Sequence, residues 1–140
     1  MSIKIFIDTN IYMNSIENRD NGVSKSLLIF LKQTDVALYL NDLSILNIHY
    51  LTRKSTHRDE IKKRLKTILE EQNIVSIDKF IIEAALDSDF NDFEDGVQYF
   101  CAKRAGAELI ITDNKNDFVN SDIKVMTAKE FVQTYMSSIG

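Results

Sequence analysis

The sequence has no proline and no tryptophan, and it has only four glycines and one cysteine in 140 residues. Proline and glycine concentrate in linkers, so no segment marks a boundary between domains, and we expect a single domain over residues 1–140. The lone Cys101 has no second cysteine to pair with, and its aromatic neighbours indicate a small buried residue rather than a nucleophile. The two histidines lack the i, i+4 spacing of zinc ligands, which argues against a zinc site.

Long apolar runs are also missing. The longest of them, such as residues 107–111 with a glutamate inside, are far too short to cross a bilayer. The N-terminus has neither the basic start nor the long apolar body of a signal peptide. We therefore expect a cytoplasmic protein with no membrane segment.

Negative charge exceeds positive charge, giving a formal net charge of −4. A chain of this charge has no extended electrostatic footprint for nucleic acid, so a polyanion would need a local basic patch. Arg53, Lys54 and Arg58 form the start of such a patch, which continues to Arg64. The same cluster is more typical of a solvated helix face, and both interpretations remain open.

Short apolar segments alternate along the chain with longer segments of helical period, in the order strand, helix, strand, helix. Strands are predicted at residues 3–7, 36–40, 74–77, 108–111 and 123–126. Helices are predicted at residues 24–32, 43–54 and 58–72, from near Asp95 to Gly106, and after the capping box of Thr127 and Glu130. This alternation predicts a three-layer α/β domain with a mostly parallel sheet, whose ligands bind at the carboxyl ends of the strands.

Acidic residues occur in three clusters, each at a predicted strand end or helix start. The clusters are Asp8, then Asp92 with Glu94 and Asp95, then Asp113 with Asp117. Carboxylates gathered at one edge of a sheet raise each other's pKa values unless a cation compensates them, and Mg²⁺ or Mn²⁺ prefers such oxygen ligands. Each residue taken singly is more typical of a helix cap, because Asp, Asn and Thr are favoured at helix N-termini.

The stretches FIDTNIY and DFEDGVQYFCAKRAGAELIITDNKNDF, with the distance between them, resemble a PIN-domain protein of the branch related to VapC-type toxins. The resemblance covers nearly the whole chain. It implies a PIN-like, Rossmann-like α/β/α fold with about five strands, the first of them central. It also implies a metal-dependent endoribonuclease, a homodimer and an antitoxin peptide as partner.

Carried over residue by residue, the resemblance implies that Asp8, Asp95 and Asp117 bind Mg²⁺ or Mn²⁺ and act in catalysis. Supporting positions are Asn47, Glu94, Asn114, Thr112 and Asp92, and the candidate RNA-binding residues are Arg53, Lys54 and Arg58. Two positions depart from the family pattern. Asn47 stands where a glutamate is usual, on a predicted inward stripe with Leu43 and Tyr50, and Asn114 stands where an aspartate is frequent.

These departures leave two hypotheses open. In the first, the protein is a Mg²⁺- or Mn²⁺-dependent endoribonuclease, the toxin of a toxin–antitoxin pair. In the second, it is a catalytically weakened PIN module that binds RNA or a protein partner without cleavage. A phospho-accepting receiver is disfavoured, because the residue that it would need after a mid-chain strand is Asp78, which is typical of a helix cap.

Overall fold

The computed structural model describes residues 3–136, and its centre is a five-stranded parallel sheet. The strands are β1 (Lys4–Ile7), β2 (Ala37–Asn41), β3 (Asn73–Val75), β4 (Leu109–Thr112) and β5 (Lys124–Thr127). Their order is β3-β2-β1-β4-β5, and every neighbouring pair is parallel. All five predicted strands are therefore present, and their boundaries differ from the predicted ones by one or two residues.

Helices connect the strands, as right-handed crossovers in a parallel sheet require. Within residues 3–136 they are α1 (Thr9–Glu17), α2 (Val23–Lys32), α3 (Asp42–Thr52), α4 (Arg58–Glu71), α5 (Lys79–Asp87), α6 (Phe93–Ala105) and α7 (Ala128–Phe131). A 3-10 helix, Lys115–Phe118, follows β4, and a π-helical turn, Val132–Met136, follows α7. None of the helices in this part of the chain is long and apolar enough to cross a membrane.

Two of the predicted helix ends can be checked in detail. Gly106 follows α6 with a φ of 74°, and its N–H bonds back to the carbonyl of Lys103, as expected for a left-handed residue that ends a helix. Thr127 and Glu130 form the predicted capping box at the start of α7, each side chain bonding to the other residue's backbone N–H. Both sequence signals are confirmed.

The sheet has a helical layer on each face, because successive residues of a strand point to opposite sides. Ile5 and Ile7 of β1 pack in a cluster with α1, α2, α4 and α7, whereas Phe6 packs on the other face against α5 and α6. The predicted three-layer α/β/α fold is therefore confirmed. Cys101 lies in the second cluster without exposed surface, and burial raises the pKa of its thiol to about 11, so it is an inert core residue as predicted.

The chain changes direction across the sheet at β1. From β1 the next two strands extend to one side, and then β4 and β5 are added on the other side. In open parallel sheets the helices separate at such a switch point, which leaves a crevice outside the carboxyl ends of the two central strands. Asp8 follows β1 and Thr112 ends β4, so both residues lie at this crevice.

Candidate active site

Asp8 occupies the N-cap position of α1, but its side chain does not cap the helix. Its Oδ1 atom accepts a 2.6 Å hydrogen bond from Nε2 of Gln98, and its Oδ2 atom accepts a 2.7 Å bond from Oγ1 of Thr112. Its backbone N–H donates to the carbonyl of Ile111 at 2.9 Å, which extends the pairing of β1 with β4 by one residue. The Asp8 side chain therefore bonds to α6 and to the end of β4 and makes no side-chain cap hydrogen bond to α1.

Asp8 is a buried carboxylate, with 4% of its surface exposed. Burial raises its pKa because the charged form loses solvation, and the nearby charge of Asp113 acts in the same direction. The hydrogen bonds from Thr112 and Gln98 favour the charged form and lower the pKa. Lysine and arginine are absent from the described residues that line the pocket in front of Asp8, so no cationic side chain there offsets this charge.

Thr112 lies where the sequence placed it, at the end of β4 and beside this carboxylate. Its hydroxyl donates to Asp8 and also accepts the backbone N–H of Asn114 at 3.2 Å. Thr112 therefore orients Asp8 and holds the start of the following loop.

Gln98 was not identified from the sequence. It lies on α6 three residues after Asp95, so the two side chains share one face of the helix. Its Nε2 must face the carboxylate, because two acceptor oxygens at that distance would repel each other. The other atom of the amide, Oε1, is buried without a hydrogen-bond partner, an arrangement that costs on the order of 1–3 kcal/mol.

Asp95 lies in the first turn of α6 and is partly buried. Desolvation is the largest cause of a rise in its pKa to about 7, and the charges of Asp117, Asp92, Asp8 and Glu94 add to it in that order. The three acidic clusters of the sequence therefore converge in space, as the fold argument required. Asp92 itself caps α6 by accepting the Asp95 N–H at 3.1 Å, so the structural role considered for it is present.

Asp117 belongs to the 3-10 helix after β4 and is exposed. The amide of Asn114 connects it to the loop, because Nδ2 donates to Asp117 at 3.2 Å while Oδ1 accepts the N–H of Asn116 at 3.1 Å. Asn114 therefore orients the neighbouring carboxylate. Asp113, which stands between Thr112 and this pair, accepts a bond from Asn14 at 3.2 Å.

The opposite side of the pocket comes from β2 and α3, and its polar groups are neutral. Asn41 caps α3 by accepting the Ser44 N–H at 2.7 Å, and the Ser44 hydroxyl lies 2.5 Å from that of Thr9. Asn47 is half-buried at the pocket, but the predicted inward stripe was wrong, since Tyr50 on that stripe is exposed. The buried face is formed by Ser44, Ile48 and Thr52. Apolar residues occur on several sides of α3, so the spacing of hydrophobic residues does not reveal which face of the helix is buried.

The pocket thus has two walls of different chemistry and a volume of about 130 Å³. We call Asp8, Glu94, Asp95 and Gln98 the acidic wall, and Asn41, Ser44, Asn47 and Leu51 the neutral wall. In residues 3–136 no three His, Cys, Asp or Glu side chains are grouped so that they would hold a metal ion on their own. Mg²⁺ commonly keeps several waters and needs one or two carboxylates, so the acidic wall fits a hydrated ion.

The basic residues predicted to bind RNA lie just beyond this pocket. Asn47 and Leu51 of α3 line the pocket, α3 ends at Thr52, and Arg53 and Lys54 follow directly. Both are exposed, as is Arg58 at the start of α4. The guanidinium of Arg53 lies 3.7 Å from the centre of the Tyr50 ring, which fixes its orientation.

A family model described as the PIN domain matches residues 4–116. Ribonuclease VapC1 of Aquifex aeolicus (strain VF5) is 30% identical over 144 residues, which cover 96% of this chain and 96% of that protein.

Solved structures also match over most of the chain. A toxin-antitoxin complex from Klebsiella pneumoniae matches with a TM-score of 0.67 and 20% identity, over 89% of this chain and 97% of that chain. VapBC2 from Rickettsia felis, bound to a DNA fragment from its promoter, matches with a TM-score of 0.67 and 13% identity, over 89% and 98%. At these identities the solved structures bear on the fold alone.

Proposed function

This chain belongs to the PIN-domain family, and from that premise we propose that it is a metal-dependent endoribonuclease and the toxin of a toxin–antitoxin pair. The activity is that named for its 30% identical relative, a ribonuclease. The observation that carries the proposal is the buried Asp8 carboxylate, which lies with Asp95 in a pocket that no described lysine or arginine lines. The family match over residues 4–116 supports a single domain, and an RNA substrate favours the cytoplasm.

Asp8, Asp95 and Asp117 are the residues that we propose to hold Mg²⁺ or Mn²⁺, with Asp117, which does not line the pocket, reaching the ion through its water shell. When bound, such an ion supplies an activated water and offsets negative charge on the phosphate during hydrolysis. Thr112 and Gln98 hold the Asp8 carboxylate through the two hydrogen bonds described above, and Asn114 holds Asp117. One of the three carboxylates takes the proton of the attacking water.

We further propose that RNA approaches over the end of α3. Arg53 and Lys54 are exposed directly after α3, whose Asn47 and Leu51 line the pocket, and Arg58 is exposed at the start of α4, so we assign them to phosphates that flank the scissile one. Because the whole chain carries a formal charge of −4, binding depends on this local patch and on the metal. Added salt screens both interactions, so cleavage should slow as ionic strength rises.

Two protein partners belong to the proposal. An antitoxin peptide with a basic residue fits the acidic wall, where the described residues provide no cation of their own. A second copy of the chain fits the largely apolar groove beside α3, where, among the described residues, Asp42 is the one charged lining residue and the others are Leu43, Ile45, Leu46, Leu69, Ile74 and Ile77. Leu46 is 66% exposed there, and burial of such surface favours a homodimer. Sedimentation equilibrium of the wild type and of Leu46→Lys tests the dimer.

The neutral wall favours a second candidate function, a module that binds RNA or protein without cutting. Asn47 removes one negative charge from the place where the family usually has a glutamate, and the polar groups of Asn41 and Ser44 are already occupied within the fold. If the remaining carboxylates bind metal too weakly, RNA would bind without being hydrolysed. Calorimetry with Mn²⁺ distinguishes the candidates, because absence of binding at millimolar metal favours the module.

An RNA cleavage assay tests the enzyme directly. Wild type should cut a structured RNA with Mg²⁺ or Mn²⁺ and stop cutting when EDTA is added. Asp8→Asn should remove cleavage, whereas Asp35→Asn, at an exposed aspartate in the loop before β2, should cut as wild type does. Cleavage that persists in EDTA, or that survives Asp8→Asn, would show that the site is wrong.

A further inference from the structure

We infer that Gln98 is a positioning residue that holds the Asp8 carboxylate ready for a divalent cation. The inference rests on the proposed metal site, and it concerns a neutral side chain that neither binds the metal nor touches the phosphate.

The hydrogen bonds at Asp8 leave room for a cation. A carboxylate has about four lone-pair positions. Gln98 occupies one on Oδ1, Thr112 occupies one on Oδ2, and the backbone N–H of Asn10 also bonds to the carboxylate, so at least one lone pair stays free. The carboxyl plane is fixed from two sides, by α6 and by the end of β4, while a free lone pair is available to an ion.

The helix that carries Gln98 is itself fixed at this point. Gly96 lies between Asp95 and Gln98, and a Cβ atom at Gly96 would lie 3.4 Å from the Cβ atoms of both Ala85 and Phe90. Helix α6 therefore packs closely against α5 at the residue that follows Asp95. Asp95 and Gln98 lie on the same face of α6. The close contact at Gly96 therefore fixes the position of Asp95 relative to the hydrogen bond between Gln98 and Asp8.

The chemistry of an amide suits this role better than the alternatives. Lysine or arginine would also donate to Asp8, but its charge would neutralise the carboxylate and compete with a metal ion. Methionine or leucine would fill the space and would remove the unpartnered Oε1 atom. Glutamine retains the orientation of Asp8 at the expense of a buried acceptor, which is the pattern expected where local stability yields to function.

Replacing Gln98 by methionine tests the inference, with Gln72→Met as the matched control. Gln72 is buried and, like the half-buried Gln98, bonds a side chain, the Tyr12 hydroxyl, but it lies outside the pocket. In Gln98→Met we expect the dissociation constant for Mn²⁺, measured by calorimetry, to rise about 10- to 100-fold. We expect little change in melting temperature, because loss of the bond to Asp8 is offset by removal of the unpartnered oxygen.

The control should behave in the opposite way. Gln72→Met should bind Mn²⁺ as wild type does and should melt several degrees lower, because the buried Tyr12 hydroxyl loses its acceptor. Saturating Mn²⁺ should restore RNA cleavage to Gln98→Met but not to Asp8→Asn. If Gln98→Met does not fold, Gln98→Asn keeps the amide but is one methylene too short to reach Asp8, and the same loss of Mn²⁺ affinity is expected.

Two of the three outcomes separate the inference from the proposed function. Unchanged Mn²⁺ affinity in the Gln98 variants overturns the inference and leaves the ribonuclease standing. Weakened Mn²⁺ binding without any RNA cleavage by wild type supports the inference and overturns the ribonuclease. If wild type binds no Mn²⁺, the inference fails together with the metal dependence of the proposed function.

Discussion

The acidic and neutral walls enclose a pocket of about 130 Å³, yet their polar groups serve different purposes. On the neutral wall, Asn41 caps a helix and Ser44 bonds to Thr9, so these groups are engaged in holding the fold together. On the acidic wall, Asp8 is held by two side-chain donors and still has at least one lone pair free. Burial alone therefore does not distinguish a ligand from a structural group; the unused bonding capacity does.

The largest effect should come from removing one carboxylate of the acidic wall. Stabilisation of phosphate charge by a metal is worth several kcal/mol, and each 1.36 kcal/mol is tenfold in rate, so Asp95→Asn should lower kcat by about 10²- to 10⁴-fold. Asn47→Ala on the neutral wall should change it by less than about threefold, since that amide contributes no charge. Single-turnover RNA cleavage at saturating Mn²⁺ measures both. Equal losses would mean that the two walls share the catalytic work.

Removing a hydroxyl from the neutral wall should affect stability rather than chemistry. Ser44→Ala leaves the buried Thr9 hydroxyl without its partner at 2.5 Å, which should lower the free energy of unfolding by about 1–3 kcal/mol. Urea denaturation measures this change, and Mn²⁺ affinity should match that of wild type. If the variant remains stable but no longer binds Mn²⁺, Ser44 contributes to the metal site instead.

Giving the neutral wall a charge should reduce the contrast between the walls. Asn47→Glu places a carboxylate at the pocket from α3. Its attraction for a divalent ion in a partly solvated site should tighten Mn²⁺ binding about tenfold. Asn47→Gln is the control for side-chain length, and its affinity should equal that of wild type. Weaker binding by the glutamate variant would indicate that repulsion among the carboxylates outweighs their attraction for the ion.

The smallest effect should come from the basic residues outside the walls. Lys54→Ala should weaken RNA binding a few-fold at low salt and should reduce the slope of log affinity against log salt by about 1. Lys79→Ala is the control. Lys79 is also an exposed lysine, but it belongs to α5 and not to the patch that follows α3, so its removal should leave the slope unchanged. Fluorescence anisotropy at several salt concentrations compares them. Equal slopes for the two variants would make the patch an ordinary solvated surface.

The sheet could be predicted from the sequence because its strands are short apolar runs, whereas α1 could not. Ile11, Tyr12, Met13 and Asn14 of α1 are consecutive and all buried, so the buried positions do not follow the period of a helix. The start of α5 was foreseen through its cap Asp78, which accepts the Ile81 N–H, but its length was not. Periodicity identifies helices with one solvated face and misses those that are enclosed.

The residues of the candidate site also divide into those that could be predicted from the sequence and those that could not. Asp8, Asp95 and Asp117 stood out because carboxylates at strand ends and helix starts are conspicuous, and their convergence followed once the strand order was known. Gln98 carries no charge and belongs to no recognised motif, so it went unnoticed. Its spacing of three from Asp95 was the available signal, since residues three apart share a helical face. The inward stripe at Asn47 failed because α3 exposes Leu46 and Leu51.

The central position of β1 has a consequence for control of the protein. Asp8 extends a strand whose side chains from Ile5 to Ile7 are buried and which is hydrogen-bonded on both edges, and its own N–H is tied to β4. Displacing this carboxylate would require breaking the middle of the sheet, which a modest binding energy cannot do. An inhibitor of such a site must therefore bind at the opening of the pocket, because the Asp8 carboxylate at its base cannot be moved aside.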